Sequence, residues 1–157
     1  MNKLLRSFKY AFSGIWQCIQ TERNFRIHMV AVCCVVWVSR FFELNGTEKA
    51  VLALACGMVL MGEMFNSALE RAVDLVCEKP HPLAKAAKDL AAGAVLLSAG
   101  TAAAVGTLLF GHRENLKLCF AYFSEQPLRL IGLAGAVAAA ILFVFIPWDR
   151  RQWPFDP

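Results

Sequence analysis

Glu63, Asn66, Glu70 and Asp74 interrupt an apolar run that begins near Ala50. At about 100° per residue, the last three lie roughly 300°, 340° and 20° around a helix from Glu63, so all four share one narrow face. Carboxylates within an apolar, membrane-length segment are costly, and those that persist usually face a bundle interior and carry function. The competing reading is a polar stripe that glues helices together. A solvated charge run fits less well, because Met64, Phe65, Ala68, Leu69, Ala72 and Val73 separate the polar residues. Further carboxylates at Glu22 and Asp89 and cations at Lys3, Arg6, Arg23, Lys85 and Lys88 fall toward the same end of the chain's helices. Carboxylates together with cations suit a metal–nucleotide: oxygens hold Mg²⁺ while lysine and arginine balance phosphate charge. Glu63 is the deepest acid, and a carboxylate there suits a base acting on a lipid hydroxyl. The chain has no P-loop, no protein-kinase glycine loop and no HExxH pair. His28, His81 and His112 sit beside no evident nucleophile, which leaves a serine-hydrolase or lipid-phosphatase apparatus unsupported.

The elements that must carry these groups follow from periodicity. Residues 2–20 place Leu4, Leu5, Phe8, Ala11, Phe12, Ile15, Trp16 and Ile19 on one arc and Lys3, Arg6, Lys9, Ser13, Gln17 and Gln20 on the other. That pattern predicts an amphipathic helix lying in the membrane interface. It is not a signal peptide, since no separate basic region, apolar core and cleavage site occur. Thr21 to Arg26 reads as a joint, with His28 an interfacial polar residue at the start of a first span over 27–44. Asn45-Gly46-Thr47 marks a turn. A second span over 48–76 is longer than a ~30 Å hydrocarbon core requires, so its acidic end emerges near the headgroups. A proline-containing loop over 77–83 leads to a third span over 84–110, rich in Ala and Gly that permit close helix approach. Leu116, Cys119, Phe120 and Phe123 predict a short interfacial helix, and a fourth span covers 128–148. The tail from Asp149 to Trp153 carries the arginines and tryptophan of a membrane interface.

The expected class is therefore an all-α integral membrane protein: an interfacial helix, three spans, and a fourth C-terminal span. The totals agree, with 157 residues of which 58% are hydrophobic and 18% charged. Cys18, Cys33, Cys34, Cys56, Cys77 and Cys119 form no CxxC pair and read as small apolar fillers. The net charge of +4 includes no basic patch interleaved with aromatics, so nucleic acid is not an expected partner. Four spans put both termini on one side, which collects Lys3, Arg6, Lys9, Arg23, Arg26, Arg71, Lys79, Lys85, Lys88, Arg150 and Arg151. The other side has only Arg40, Lys49, Arg113, Lys117 and Arg129. This bias puts the termini and the candidate site on the cytoplasmic side of the membrane.

The pattern Glu63, Asn66, Glu70, Asp74 resembles the signature of the prokaryotic diacylglycerol kinase family of small membrane lipid kinases. Three further stretches occur in matching order: Phe8-Lys9-Tyr10-Ala11-Phe12 with Gly14; Glu22-Arg23-Asn24 with Arg26-Ile27-His28; and His81-Pro82-Leu83-Ala84-Lys85 with Ala87-Lys88-Asp89 and Ala91-Ala92-Gly93. They are most similar to its undecaprenol kinase branch, over about residues 3–111. The resemblance implies ATP- and Mg²⁺-dependent phosphorylation of a membrane lipid alcohol, undecaprenol before diacylglycerol. It implies Glu63 as catalytic base and Glu22 and Glu70 as metal ligands. Lys3, Arg6, Tyr10, Glu22, Glu70, Asp74, Lys88 and Asp89 would form the nucleotide site, with Asn66 in support. It also implies a homotrimer with active sites shared between subunits. Residues 1–111 would be the kinase domain. The departure is 112–157, since family members of this type usually stop soon after the third span; it carries no charge constellation of its own and reads as an accessory segment. A reading of another class is a non-catalytic membrane assembly or transport subunit whose acids hold helices together or pass cations.

Overall fold

The structure, a computed structural model, describes residues 3–111 and 113–147. The described residues form helices and short connections, with no strand. The tail from Asp149 to Trp153 lies outside them, as do Trp148 and His112.

Helix α1 (Lys3–Thr21) carries its apolar arc exposed: Leu4, Leu5, Phe8 and Phe12 each leave more than half of their surface uncovered. An uncovered stripe of that size belongs against lipid. Glu22 is a one-residue break, extended at φ −105° and ψ 106°, and its N–H still donates to the Cys18 carbonyl at 2.9 Å. Helix α2 (Arg23–Val38) follows at once and ends in a 3₁₀ turn, Ser39–Phe41. The first span thus begins four residues earlier than the sequence suggested, because the joint needs only Glu22. The early start points Arg26 back at α1. Its buried guanidinium donates from Nη1 to the carbonyls of Ile19 (3.1 Å) and Gln20 (3.3 Å), two of the acceptors that a helix C-terminus leaves open.

Helix α3 (Gly46–Val76) starts in a capping box: Asn45 Oδ1 accepts from the Glu48 N–H at 3.0 Å, and the Asn45 N–H donates to Glu48 Oε2 at 2.8 Å. Its 31 residues rise about 46 Å, so the last turns reach past a hydrocarbon core. Helix α4 (Pro82–Phe110) begins with His81 as cap and Pro82 in the first turn, where a missing N–H costs nothing. Helices α3 and α4 run antiparallel and pack most extensively. At Gly62, on the α4 side of α3, a Cβ would stand 3.2 Å from Ser98 Oγ.

Helices α5 (Arg113–Ser124) and α6 (Pro127–Phe145) are the last among the described residues. α5 joins the far end of α2 through an aromatic cluster: Trp37 meets Phe41 at 5.1 Å and Phe123 at 5.3 Å, and Phe41 meets Tyr122 at 5.2 Å. Arg129 of α6 stacks 4.0 Å above Tyr122. The buried cluster of Phe42, Leu44 and Leu52, backed by Leu109 and Phe110, lies at this same end. Apolar packing therefore pins the bundle opposite the acids, and the acidic end is tied by polar contacts. Four helical stretches, Arg23–Phe41, Gly46–Val76, Pro82–Phe110 and Pro127–Phe145, are long and apolar enough to cross a membrane.

Candidate active site

Burial along α3 is graded. Glu63 is only 4% exposed, Asn66 and Glu70 are half-buried, and Asp74 is open. The sequence-predicted face is therefore one wall running from the bundle interior to the exposed end of α3. Beside Glu63, Gly62 faces α4 closely: a Cβ there would stand 3.2 Å from Ser98 Oγ.

Each acid has a defined neighbour. His28 of α2 places Nε2 3.4 Å from Glu63 Oε1, and Glu63 also lies within the fields of Glu22 and Glu70. Asn66 donates from Nδ2 to Glu70 Oε1 at 3.0 Å, and its own Oδ1 is buried without a partner. Arg71 reaches from α3 to the α1–α2 junction, donating from Nη2 to Glu22 Oε1 at 2.8 Å and Thr21 Oγ1 at 2.6 Å. Lys88 of α4 meets Asp74 at 2.5 Å across the two helices, whereas Asp89 is held on its own helix by Lys85 at 2.6 Å. Cys18 is buried close to Arg71 and Glu22, and burial pushes its thiol pKa up, which keeps it an inert filler.

The structure thus brings Glu22, Glu63, Asn66, Glu70, Asp74 and Lys88 to one end of the α2–α3–α4 bundle. Lys3 and Arg6 sit on the exposed first turns of α1, and among the described residues no ion pair ties either to the acids. Tyr10 is exposed on the same helix. Two contributors were not legible in the sequence. Arg71 entered only as one positive charge among many, and His28 was read as an interfacial residue. A signal for His28 exists in hindsight: it occupies the second turn of a helix that starts at Arg23, on the side facing α3.

An apolar groove of about 250 Å³ opens between α2, α3 and α4, lined by Ala31, Val32, Leu52, Val59 and Ala102 among others. His28 also lines it. Among the described residues no three His, Cys, Asp or Glu side chains gather into a metal cage. The hard oxygens of Glu22 and Glu70 nevertheless fit Mg²⁺ in its usual nucleotide form, held by one or two carboxylates and completed by phosphate and water. The orphaned Asn66 Oδ1 beside Glu70 adds an acceptor for a bound water.

The family described as prokaryotic diacylglycerol kinase matches residues 9–110. Undecaprenol kinase of Bacillus subtilis is 43% identical over 110 residues, covering 70% of this chain and 89% of that protein. A Synechocystis diacylglycerol kinase is 47% identical over 107 residues, covering 68% of this chain and 61% of its own length. Diacylglycerol kinase of Escherichia coli is 27% identical over 96 residues. No solved structure matches.

Proposed function

We propose that this chain, which belongs to the prokaryotic diacylglycerol kinase family, transfers the γ-phosphoryl group of ATP to undecaprenol at the cytoplasmic face of a bacterial inner membrane. Family membership makes it a membrane lipid kinase. Acceptor, orientation and residue roles are the proposal. The observation that carries it is Glu63: a buried carboxylate on a membrane-length helix, beside a polar cluster and in contact with His28, which lines an apolar groove.

In this reading the lipid tail stays in apolar surroundings and its hydroxyl comes to Glu63. Glu63 takes the hydroxyl proton as the lipid oxygen bonds to the γ-phosphorus and the bond to the bridging oxygen of ADP breaks. Glu22 and Glu70 would hold Mg²⁺, which supplies charge neutralisation between the phosphates when bound. Asn66 fixes Glu70. Lys88 and Asp74 bridge α3 and α4 beside the phosphates, and Lys3, Arg6, Tyr10 and Asp89 extend the nucleotide site along the interface. Residues 1–111 act as the kinase domain and 112–157 as an accessory segment. The exposed small residues of α4, Ala92, Gly100 and Ala104 among them, suit contacts in a homotrimer.

Diacylglycerol is the second acceptor, favoured by the 47% identity to the Synechocystis protein. Purified protein given undecaprenol or diacylglycerol with γ-labelled ATP separates them. Transfer to undecaprenol alone supports the proposal, transfer to diacylglycerol alone moves the acceptor, and transfer to neither overturns the kinase reading.

A further inference from the structure

We infer that His28 is a positioning residue for Glu63, holding its carboxylate so that one oxygen stays turned toward the acceptor hydroxyl. The inference rests on the kinase reading above and adds a part that the acidic pattern does not contain.

Three observations carry it. The His28 ring nitrogen is 3.4 Å from Glu63 Oε1. Glu63 has almost no solvent to orient or stabilise its charge, so a protein partner is needed. His28 is also part of the groove wall, among Ala31, Val32, Ala55 and Val59, so it touches both the base and the apolar space beside it.

The separation is longer than a relaxed N–H···O bond, as pairs at such sites are before substrate tightens them. With the proton assigned to Nε2, His28 would donate to Oε1 once the pair tightens, leaving Oε2 free to receive the lipid proton. An imidazole on a helix has two torsions and sits in one place. A glutamate has three, and unheld it would spread over rotamers that point away from the acceptor. The Glu63 roles that geometry separates are thus two: one oxygen is anchored and one reacts.

Side-chain reach gives the test. A glutamine amide nitrogen stands the same number of bonds from the backbone as His28 Nε2, whereas an asparagine amide falls one bond short. H28L is expected to lower kcat at least about tenfold with the KM for ATP little changed. H28Q is expected to recover most of that loss, and H28N is not. Should H28L fail to fold, the H28Q–H28N difference decides alone. Equal impairment of H28Q and H28N, or a near-normal kcat in H28L, overturns the inference. The pair itself is read without turnover: E63Q is expected to shift the ¹⁵N resonance of His28 Nε2, and an unmoved resonance overturns it. A wild-type chain that phosphorylates neither lipid removes the kinase reading and the positioning role together, while the resonance still judges the pair.

Discussion

Arg71 of α3 holds Glu22 at the α1–α2 junction, with Nη2 2.8 Å from Glu22 Oε1. This contact crosses from the α1–α2 junction to α3, and it brings a carboxylate 49 residues away in sequence to the residue that follows Glu70. Both side chains are partly exposed, so the pair contributes at most about 1 kcal/mol to stability. Its consequence is placement. The adjoining buried Arg26 serves the same end, closing the last carbonyls of α1 so that Glu22 sits at a defined break.

R71Q should therefore leave the melting temperature within a few degrees of wild type and raise the Mg²⁺ concentration for half-maximal activity by about fivefold. Losing the guanidinium also removes a competing cation from Glu22, but a weak, partly exposed pair costs little to break. Mg²⁺ titrations at saturating ATP check this. An unchanged half-point would show that Glu22 needs no such support.

The contact of α3 and α4 at Gly62 gives a second prediction. An added Cβ there meets Ser98 Oγ at 3.2 Å, a hydroxyl that can turn although it donates to the Val95 carbonyl at 2.8 Å, and Val95 at an ordinary 3.8–3.9 Å. G62A should be tolerated. G62L should cost about 1–3 kcal/mol by overpacking and lower kcat as well, because it pushes Glu63 out of register with His28. Thermal melts in detergent alongside turnover read both effects. Equal behaviour of the two variants would contradict the packing argument.

The C-terminal helices give a third. Deleting residues 112–157 removes the aromatic contacts of Tyr122 and Phe123 with Trp37 and Phe41, each pair contributing about 1 kcal/mol. The shortened chain should melt earlier and still transfer phosphate, since α1 to α4 carry every assigned group. A folded but inactive truncation would refute the division into kinase domain and accessory segment.

Much of this was legible in the sequence. The spans show because membrane-length apolar runs are hard to mistake, and the acidic wall shows because a 3.6-residue period aligns Glu63, Asn66, Glu70 and Asp74. The antiparallel contact of Asp74 with Lys88 was within reach, since both flank the same short loop. The pairings of His28 and Arg71 were not. They depend on the angle of the chain at Glu22, a single extended residue whose backbone torsions no side-chain pattern announces. Arg26 was lost for the same reason: read as part of a joint, it had no reason to be buried. Acceptor identity is written in the shape of interchangeable apolar side chains, which periodicity does not distinguish.

The central claim is that Glu63 is the base that takes the proton from a lipid hydroxyl. The most direct test compares wild type and E63Q in the transfer of γ-labelled phosphate from ATP to undecaprenol, with nucleotide-analogue binding measured on the same samples. Glutamine keeps the shape and cannot accept the proton, so the rate should fall at least about 10²-fold while analogue binding stays near normal. An E63Q enzyme that phosphorylates undecaprenol at close to the wild-type rate would contradict the account.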